Sequence, residues 1–367
     1  MSALTEQRTV TLTQAKNEIA FCARKQRPVF LWGPPGIGKS ELVASICEEM
    51  GGKLYDLRLA LMDPSDLKGV LYYNPVQGTA TWSSPPDLPS KEDAAKYPVV
   101  FLFLDEMNAA PPATQAAAYQ LVLNRRVGTY ELPDNVVVVA AGNRDTDRGV
   151  TYRMPSPLAN RFIHLNLRPD FESWQNWAID NKIHADVVGY LSHHKVDLFS
   201  FDPKNSSQAF ATPRSWSFVS DLLREEMTPS ELTDLVSGTV GEGIALKFAA
   251  HRKVSADMPR ASEILEGKVK ELKKKEISAC YALAVALCYE LKDSYDKIGL
   301  KENDKWHTQV DNVFRFMMDN FDTEMQVMLA HSALVNYKLQ FKASKLEHFK
   351  EFNQKVGPYV LAAVNKN

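Results

Sequence analysis

The eight residues Gly33, Pro34, Pro35, Gly36, Ile37, Gly38, Lys39 and Ser40 read G-x-x-x-x-G-K-S. This spacing suits a phosphate: the glycines let backbone N–H groups turn inward, Lys39 reaches the β- and γ-phosphates, and the Ser40 hydroxyl ligates Mg²⁺. A helix starting here, with Glu41 in its first turn, adds the positive end of its dipole. A second chemical group follows about 65 residues later, where an apolar run ends in Asp105-Glu106. At the carboxyl end of a buried strand, Asp105 would hold Mg²⁺ through water, and Glu106 would polarise the water that attacks the γ-phosphate. Gly142-Asn143 ends the next apolar run, where the Asn143 amide could orient that water.

The elements that must carry these groups follow from the pattern of apolar residues. Pro28–Trp32 is a short strand-type run, and Leu42, Val43, Ile46, Cys47 and Met50 recur at helical spacing behind the loop. Residues 11–26 (Ala15, Ile19, Phe21, Cys22) predict a helix stopped by Pro28, either over a nucleotide base or packed on the sheet edge. Gly51-Gly52 ends the helix after the loop, and Lys53–Leu59 reads as the second strand. Residues 61–90 hold a short helix capped by Ser65 or Asp66, then a hairpin bearing Tyr72, Tyr73 and Trp82. Those aromatic residues either grip a polypeptide in a channel or pack the hairpin onto its domain. Val99–Leu104 and Asn135–Ala141 are continuous apolar runs of the kind buried on both faces of a parallel sheet, and a helix over 111–125 separates them. A fifth strand runs from Phe162 to Leu167. Just before it, Arg161 stands at the domain edge, where it could enter a neighbouring subunit's site and meet transition-state charge. Arg144, Arg148 and Arg153 compete for that role or belong to a solvated loop.

A chain of 367 residues exceeds one ordinary core, so two or three domains are expected. Its 43 basic and 45 acidic residues give no global pull toward nucleic acid or an anionic membrane. No apolar run approaches the roughly 20 residues of a membrane span, and the N-terminus lacks the apolar stretch of a signal peptide. A cytoplasmic protein is expected. Cys22, Cys47, Cys280 and Cys288 form no C-x-x-C pair and are expected as buried thiols, and the eight histidines form no zinc motif.

The order Gly33–Ser40, Asp105-Glu106, Gly142-Asn143, Asn160-Arg161-Phe162 resembles an AAA+ ATPase. Pro64-Ser-Asp-Leu-Lys-Gly69 before a hairpin, and Pro157-Leu-Ala-Asn-Arg-Phe162, resemble the MoxR-type branch with a helix-2 insertion, similar to chelatase ATPase subunits and midasin-like modules. The likeness covers about residues 10–260 and departs at Asn160, where an aspartate is commoner. It implies a five-stranded parallel αβα domain over 1–168 and a helical lid over 169–255. Beyond these lies a helical extension over 256–367. It further implies ATP and Mg²⁺ as cofactors, held by Gly33–Glu41 and Asp105. Glu106, Asn143 (sensor one) and Arg161 (arginine finger) would act in hydrolysis. Arg214, in Thr212-Pro213-Arg214 at a firm helix start, matches sensor two. Family members are typically hexameric rings that remodel protein clients, many with a partner carrying a von Willebrand A domain. A nucleic-acid motor and a slow nucleotide-dependent scaffold are the alternatives.

From Pro169 helical spacing takes over, with Phe171, Trp174, Trp177 and Ala178 in the first helix. Residues 263–276 alternate Lys and Glu and are expected as a solvated helix face. Ala279–Leu291 is apolar nearly all round and should be buried, with further amphipathic helices near 314–318, 325–334 and 356–364.

Overall fold

The computed structural model describes residues 8–364 apart from 77, 84, 148–151, 153, 205–207, 274–275 and 299–302. The chain divides into two compact units, Met1–Asp170 with Phe201–Ser206, and Phe171–Ser200 with Ser207–Asn367.

The first unit is built on a parallel sheet. Its elements in chain order begin with β1 (Thr9–Val10), α1 (Leu12–Arg24), β2 (Val29–Trp32), α2 (Lys39–Glu49), β3 (Lys53–Arg58) and α3 (Pro64–Lys68). A hairpin of β4 (Leu71–Asn74) and β5 (Thr79–Trp82) precedes α4 (Lys91–Ala94), β6 (Val100–Asp105) and α5 (Pro112–Asn124). Then come the ribbon β7 (Arg126–Val127) and β8 (Tyr130–Glu131), β9 (Val136–Gly142), α6 (Ser156–Ala159) and β10 (Ile163–Leu167). The strand order is β1-β10-β2-β9-β6-β3, with every pair parallel.

Alternation along the strands sorts the core into two faces. Phe30, Leu102, Leu104, Val138 and Ala140 point to the α5 side and meet Ala117, Ala118 and Leu121. Leu31, Phe101, Phe103, Val137 and Val139 point the other way, onto Ala15 and Ile19 of α1 and Val43 and Ile46 of α2. The helix over 12–24 therefore packs on the sheet. Burial on both faces is why the central strands β2, β6 and β9 are apolar at nearly every position, and it makes the strand ends rigid supports for whatever they carry.

Three local features differ from expectation. The sheet has six strands, the extra one being β1, where Thr9 and Val10 pair with Asn166 and Leu167. Two residues are too few to show a period. The cap of α3 is Asp63, not Ser65 or Asp66: Pro64 takes the first helical position, and the Asp63 N–H donates to Asp66 Oδ2 at 2.8 Å. The β7–β8 ribbon has no counterpart in the sequence reading, again because each strand spans two residues.

The second unit is helical: α7 (Phe171–Asp180), α8 (Ala185–His193), α9 (Pro213–Leu222), α10 (Pro229–Val240), α11 (Glu242–Ser255) and α12 (Ala261–Leu265), then α13 (Ile277–Lys297), α14 (Asn303–Asn320), α15 (Thr323–His331), α16 (Phe349–Lys355) and α17 (Gly357–Val364). The N-cap of α9 is Thr212, whose Oγ1 accepts from the Ser215 N–H at 3.1 Å, as the Thr-Pro start predicts. Trp174, Tyr190, Trp216 and Phe248 centre one apolar cluster. Another gathers around α13, where Leu283, Leu287 and Leu291 meet Trp306, Phe316 and Met317. Residues 266–273 are not helical. Gly267, at φ +74°, ends α12, and Asn320 pins the segment that follows, accepting from Leu272 N–H at 2.8 Å and donating to Lys270 O at 2.7 Å. Leu272 is buried, and beyond α12 the described charged residues lie on an irregular segment and not on a helix face. All four cysteines are free and buried, and among the described residues no helix is long and apolar enough to cross a membrane.

His251 in α11 is 4% exposed, with Nδ1 2.6 Å from Ser278 Oγ. Burial is the main cause that lowers its pKa from 6.5 to about 4. The unfolded chain therefore takes up this proton near pH 6.5 while the folded unit resists until about 4, so stability is full above the first value and falls between the two. Chemical denaturation at pH 7 and 4.5 should show a loss on the order of 2–3 kcal/mol from this group. His251→Gln should remove that part of the acid sensitivity.

Candidate active site

The loop between β2 and α2 is shaped by its glycines. Gly36 and Gly38 have φ of +75° and +99°, a region that other residues enter at a cost of about 1–2 kcal/mol. Gly38 is the N-cap of α2 and no side chain caps that helix, which leaves its first N–H groups for an anion. Ile37, 1% exposed, anchors the loop in the core beside α2. At Gly33 an added Cβ would stand 3.3 Å from Leu167 Cβ, tight against the end of β10. Pro34 is buried, Pro35 is partly buried, and Glu41 on the outer side of the first turn is exposed. Lys39 Nζ donates to Gly33 O at 2.7 Å, Pro34 O at 3.1 Å and Asn143 Oδ1 at 3.1 Å. These three acceptors are neutral oxygens, and a phosphate in the loop would be a stronger acceptor for an ammonium than any of them.

The strand ends bring the remaining groups to this loop. Ser40 Oγ donates to Asp105 Oδ2 at 3.1 Å, and Asp105 Oδ1 accepts from the Glu106 N–H at 2.8 Å. A hydroxyl and a carboxylate at this separation are the oxygen donors that suit Mg²⁺, whose remaining positions water or phosphate would fill. Asp56 on the neighbouring β3 has its pKa raised, first by partial burial and then by the nearby charge of Asp105, while Arg58 acts to lower it. Glu106 is exposed and left-handed, at φ 52° and ψ 32°, where the chain leaves β6 for the turn over Met107–Ala109.

Asn143, next after β9, is held by a residue that sequence reasoning missed. Asn108 is 2% exposed and donates from Nδ2 to Asn143 O at 2.7 Å. Its Oδ1 is buried without a hydrogen-bond partner among the described residues. An added Cβ at Gly142 would come 2.1 Å from that oxygen, so any other residue there would push the Asn108 side chain out of place. In sequence Asn108 is one polar residue in a turn, and nothing near it announces burial.

The arginines separate. The Arg161 side chain is exposed, in the turn between α6 and β10, where its N–H donates to Leu158 O at 3.0 Å. Arg144 is tied to its own subunit: its guanidinium donates to Leu167 O, and its N–H donates to Asp147 Oδ2 at 2.9 Å. Arg148 and Arg153 lie outside the described residues. Arg214 belongs to the second unit, exposed in the first turn of α9. In the hairpin, Tyr72 and Tyr73 are 50% and 66% exposed, whereas Trp82 is partly buried and lies against Gly128 of the small ribbon.

Residues 28–164 match the family described as ATPase family associated with various cellular activities (AAA). A curated relative, midasin of Giardia intestinalis, is 27% identical over 189 residues, which span 49% of this chain and only 4% of that protein. Solved structures that align include a mutant form of Thermotoga maritima RuvB at 16% identity (71% of this chain, 79% of that one; TM-score 0.38). Brucella abortus NtrX in complex with ADP aligns at 14% identity (78% and 65%; TM-score 0.38). Both scores fall below 0.5, so the fold rests on the chain's own sheet order and loop geometry. The match runs from the strand before the Gly33–Ser40 loop (the P-loop) into β10, and so takes in the strand ends that carry Lys39, Ser40, Asp105 and Asn143.

Proposed function

We propose that the protein binds ATP with Mg²⁺ between the Gly33–Ser40 loop and Asp105, and hydrolyses it through Glu106 and Asn143. It does so as a subunit of a ring, a hexamer in the manner of MoxR-type proteins, in which Arg161 serves the neighbouring site.

The observation that carries this reading is convergence: Lys39, Ser40, Asp105 and Asn143 are joined by direct hydrogen bonds at the carboxyl ends of β2, β6 and β9. Glu106 follows Asp105 at the same edge of the sheet. Arg161 supports the ring, because it is exposed in a turn and is separate from the hydrogen-bonded cluster around Lys39. A site that borrows a charge from the next subunit works only when assembled. Turnover per subunit should therefore rise with protein concentration and level off as rings form. A rate per subunit that stays constant down to concentrations where native mass measurement finds only monomer would contradict the ring.

The ring would use the motion to remodel a protein client, working with a von Willebrand A domain partner. The exposed Tyr72 and Tyr73 support a gripping hairpin, and Trp82, packed at Gly128, supports its base. Arg214 would sense the γ-phosphate from the helical unit, which is proposed to act as a lid over 169–255 followed by an extension over 256–367. Tyr72→Ala with Tyr73→Ala removes two exposed rings and should change stability by no more than about 0.5 kcal/mol. Basal ATPase should persist, while stimulation of turnover by an unfolded polypeptide should be lost. Undiminished stimulation would remove the hairpin from the gripping role.

A further inference from the structure

The Arg161 turn is wired to the strand that leads into the P-loop. Trp32, the last residue of β2 and the one before Gly33, donates from Nε1 to His164 Nδ1 at 2.9 Å. His164 Nε2 lies 2.8 Å from Ala159 O, the last residue of α6. An indole nitrogen can only donate, so Nδ1 must accept, the ring proton sits on Nε2, and Nε2 donates to Ala159. The same carbonyl receives the Phe162 N–H at 3.2 Å, so both of its lone pairs are engaged by groups that follow Arg161 in the chain.

The rings reinforce this link. Phe30 and Trp32 on β2 and His164 on β10 share one face of the sheet, and Phe162, just before β10, packs on the same face. Phe30 stacks on Trp32 at 4.2 Å between centroids, Phe162 meets Phe30 edge-on at 5.4 Å, and Trp32 lies nearly parallel to His164, 22° apart at 6.0 Å. Phe30 and Phe162 are 0% and 6% exposed, so the stack is rooted in the core while its outer members reach the surface. An exposed arginine on a free turn would lose much of its effect, because catalytic charge must be held in place before the transition state forms.

We propose that Trp32 and His164 are positioning residues that fix the Arg161 turn against the P-loop strand, and so set the geometry of the arginine a neighbouring subunit receives. The inference rests on the reading of Arg161 as a residue that acts in trans. It assigns a second consequence to the P-loop strand: its last side chain braces the turn that carries Arg161.

The test uses the full chain with two variants. Trp32→Phe keeps a ring for the stack and removes the donor, and His164→Ala removes the middle of the link. Both should bind ATP with wild-type affinity and turn over on the order of 10-fold more slowly. The deciding measurement mixes each with an excess of Lys39→Ala subunits, which cannot hydrolyse but carry an intact Trp32, His164 and Arg161. Turnover per Trp32→Phe or His164→Ala subunit should climb toward the wild-type value, because each intact P-loop then meets a well-held arginine. Damage confined to the variant's own P-loop would not be relieved by any neighbour. Wild-type turnover in both variants overturns the proposal. So does a defect that mixing leaves unchanged while the control pair, Arg161→Ala with Lys39→Ala, recovers activity. If that control also stays inactive, the in-trans reading falls, and the role of His164 falls with it.

Discussion

Glu106→Gln should leave ATP bound and stop its turnover, by on the order of 10²–10⁴-fold. The carboxylate of Glu106 stands on the residue after Asp105, exposed at the end of β6 and outside the hydrogen bond that engages Ser40 and Asp105. The amide is nearly isosteric but cannot take a proton from water, so Lys39 and Ser40 keep their hold on the nucleotide. Nucleotide titration and single-turnover hydrolysis separate the two effects. Wild-type turnover in the variant would mean that another group activates the water. Glu106 also occupies left-handed backbone at φ 52°, which a side-chain-bearing residue adopts at a cost of about 1–2 kcal/mol. Glu106→Gly should therefore abolish turnover and yet raise the stability of its unit by about 1 kcal/mol, measured by chemical denaturation.

Arg161→Ala should lose on the order of 10³-fold in kcat while its ATP affinity stays close to wild type. Arg161 sits in the turn after α6 and is exposed, whereas the groups that would hold the nucleotide, Lys39, Ser40 and the glycine turn, are tied together elsewhere at the strand ends. Removing a charge that meets only the transition state lowers kcat and kcat/KM together and leaves ground-state binding alone. A rise in Kd of the same size as the fall in kcat would place Arg161 in its own nucleotide site instead.

The P-loop is readable in sequence because its requirements are local: Gly36 and Gly38 must adopt positive φ, and Lys39 and Ser40 must open a helix. The buried strands are readable for a similar reason, since burial on both faces leaves β6 and β9 apolar at nearly every position. What escapes is set by contacts between distant parts of the chain. Asn108 becomes a support for Asn143 only because β9 and the turn after β6 lie side by side, and Gly142 makes the room. Trp32 and His164 meet across 132 positions of sequence. The irregular segment at 266–273 reads as a helix face until Asn320, 48 residues beyond Leu272, supplies its backbone partners. Arg144 shares its sequence neighbourhood with Arg161, and what separates the two is its partial burial and its bond to Leu167 O.

Arg161→Ala and Lys39→Ala subunits, each inactive alone, provide the most direct test when they are combined. In mixed rings some interfaces place the intact Arg161 of a Lys39→Ala subunit against the intact P-loop of an Arg161→Ala subunit. ATP hydrolysis should reappear on mixing and pass through a maximum as the ratio is varied, with mixed assembly confirmed by native mass measurement. Mixed rings that form and stay inactive at every ratio would contradict a site completed by its neighbour.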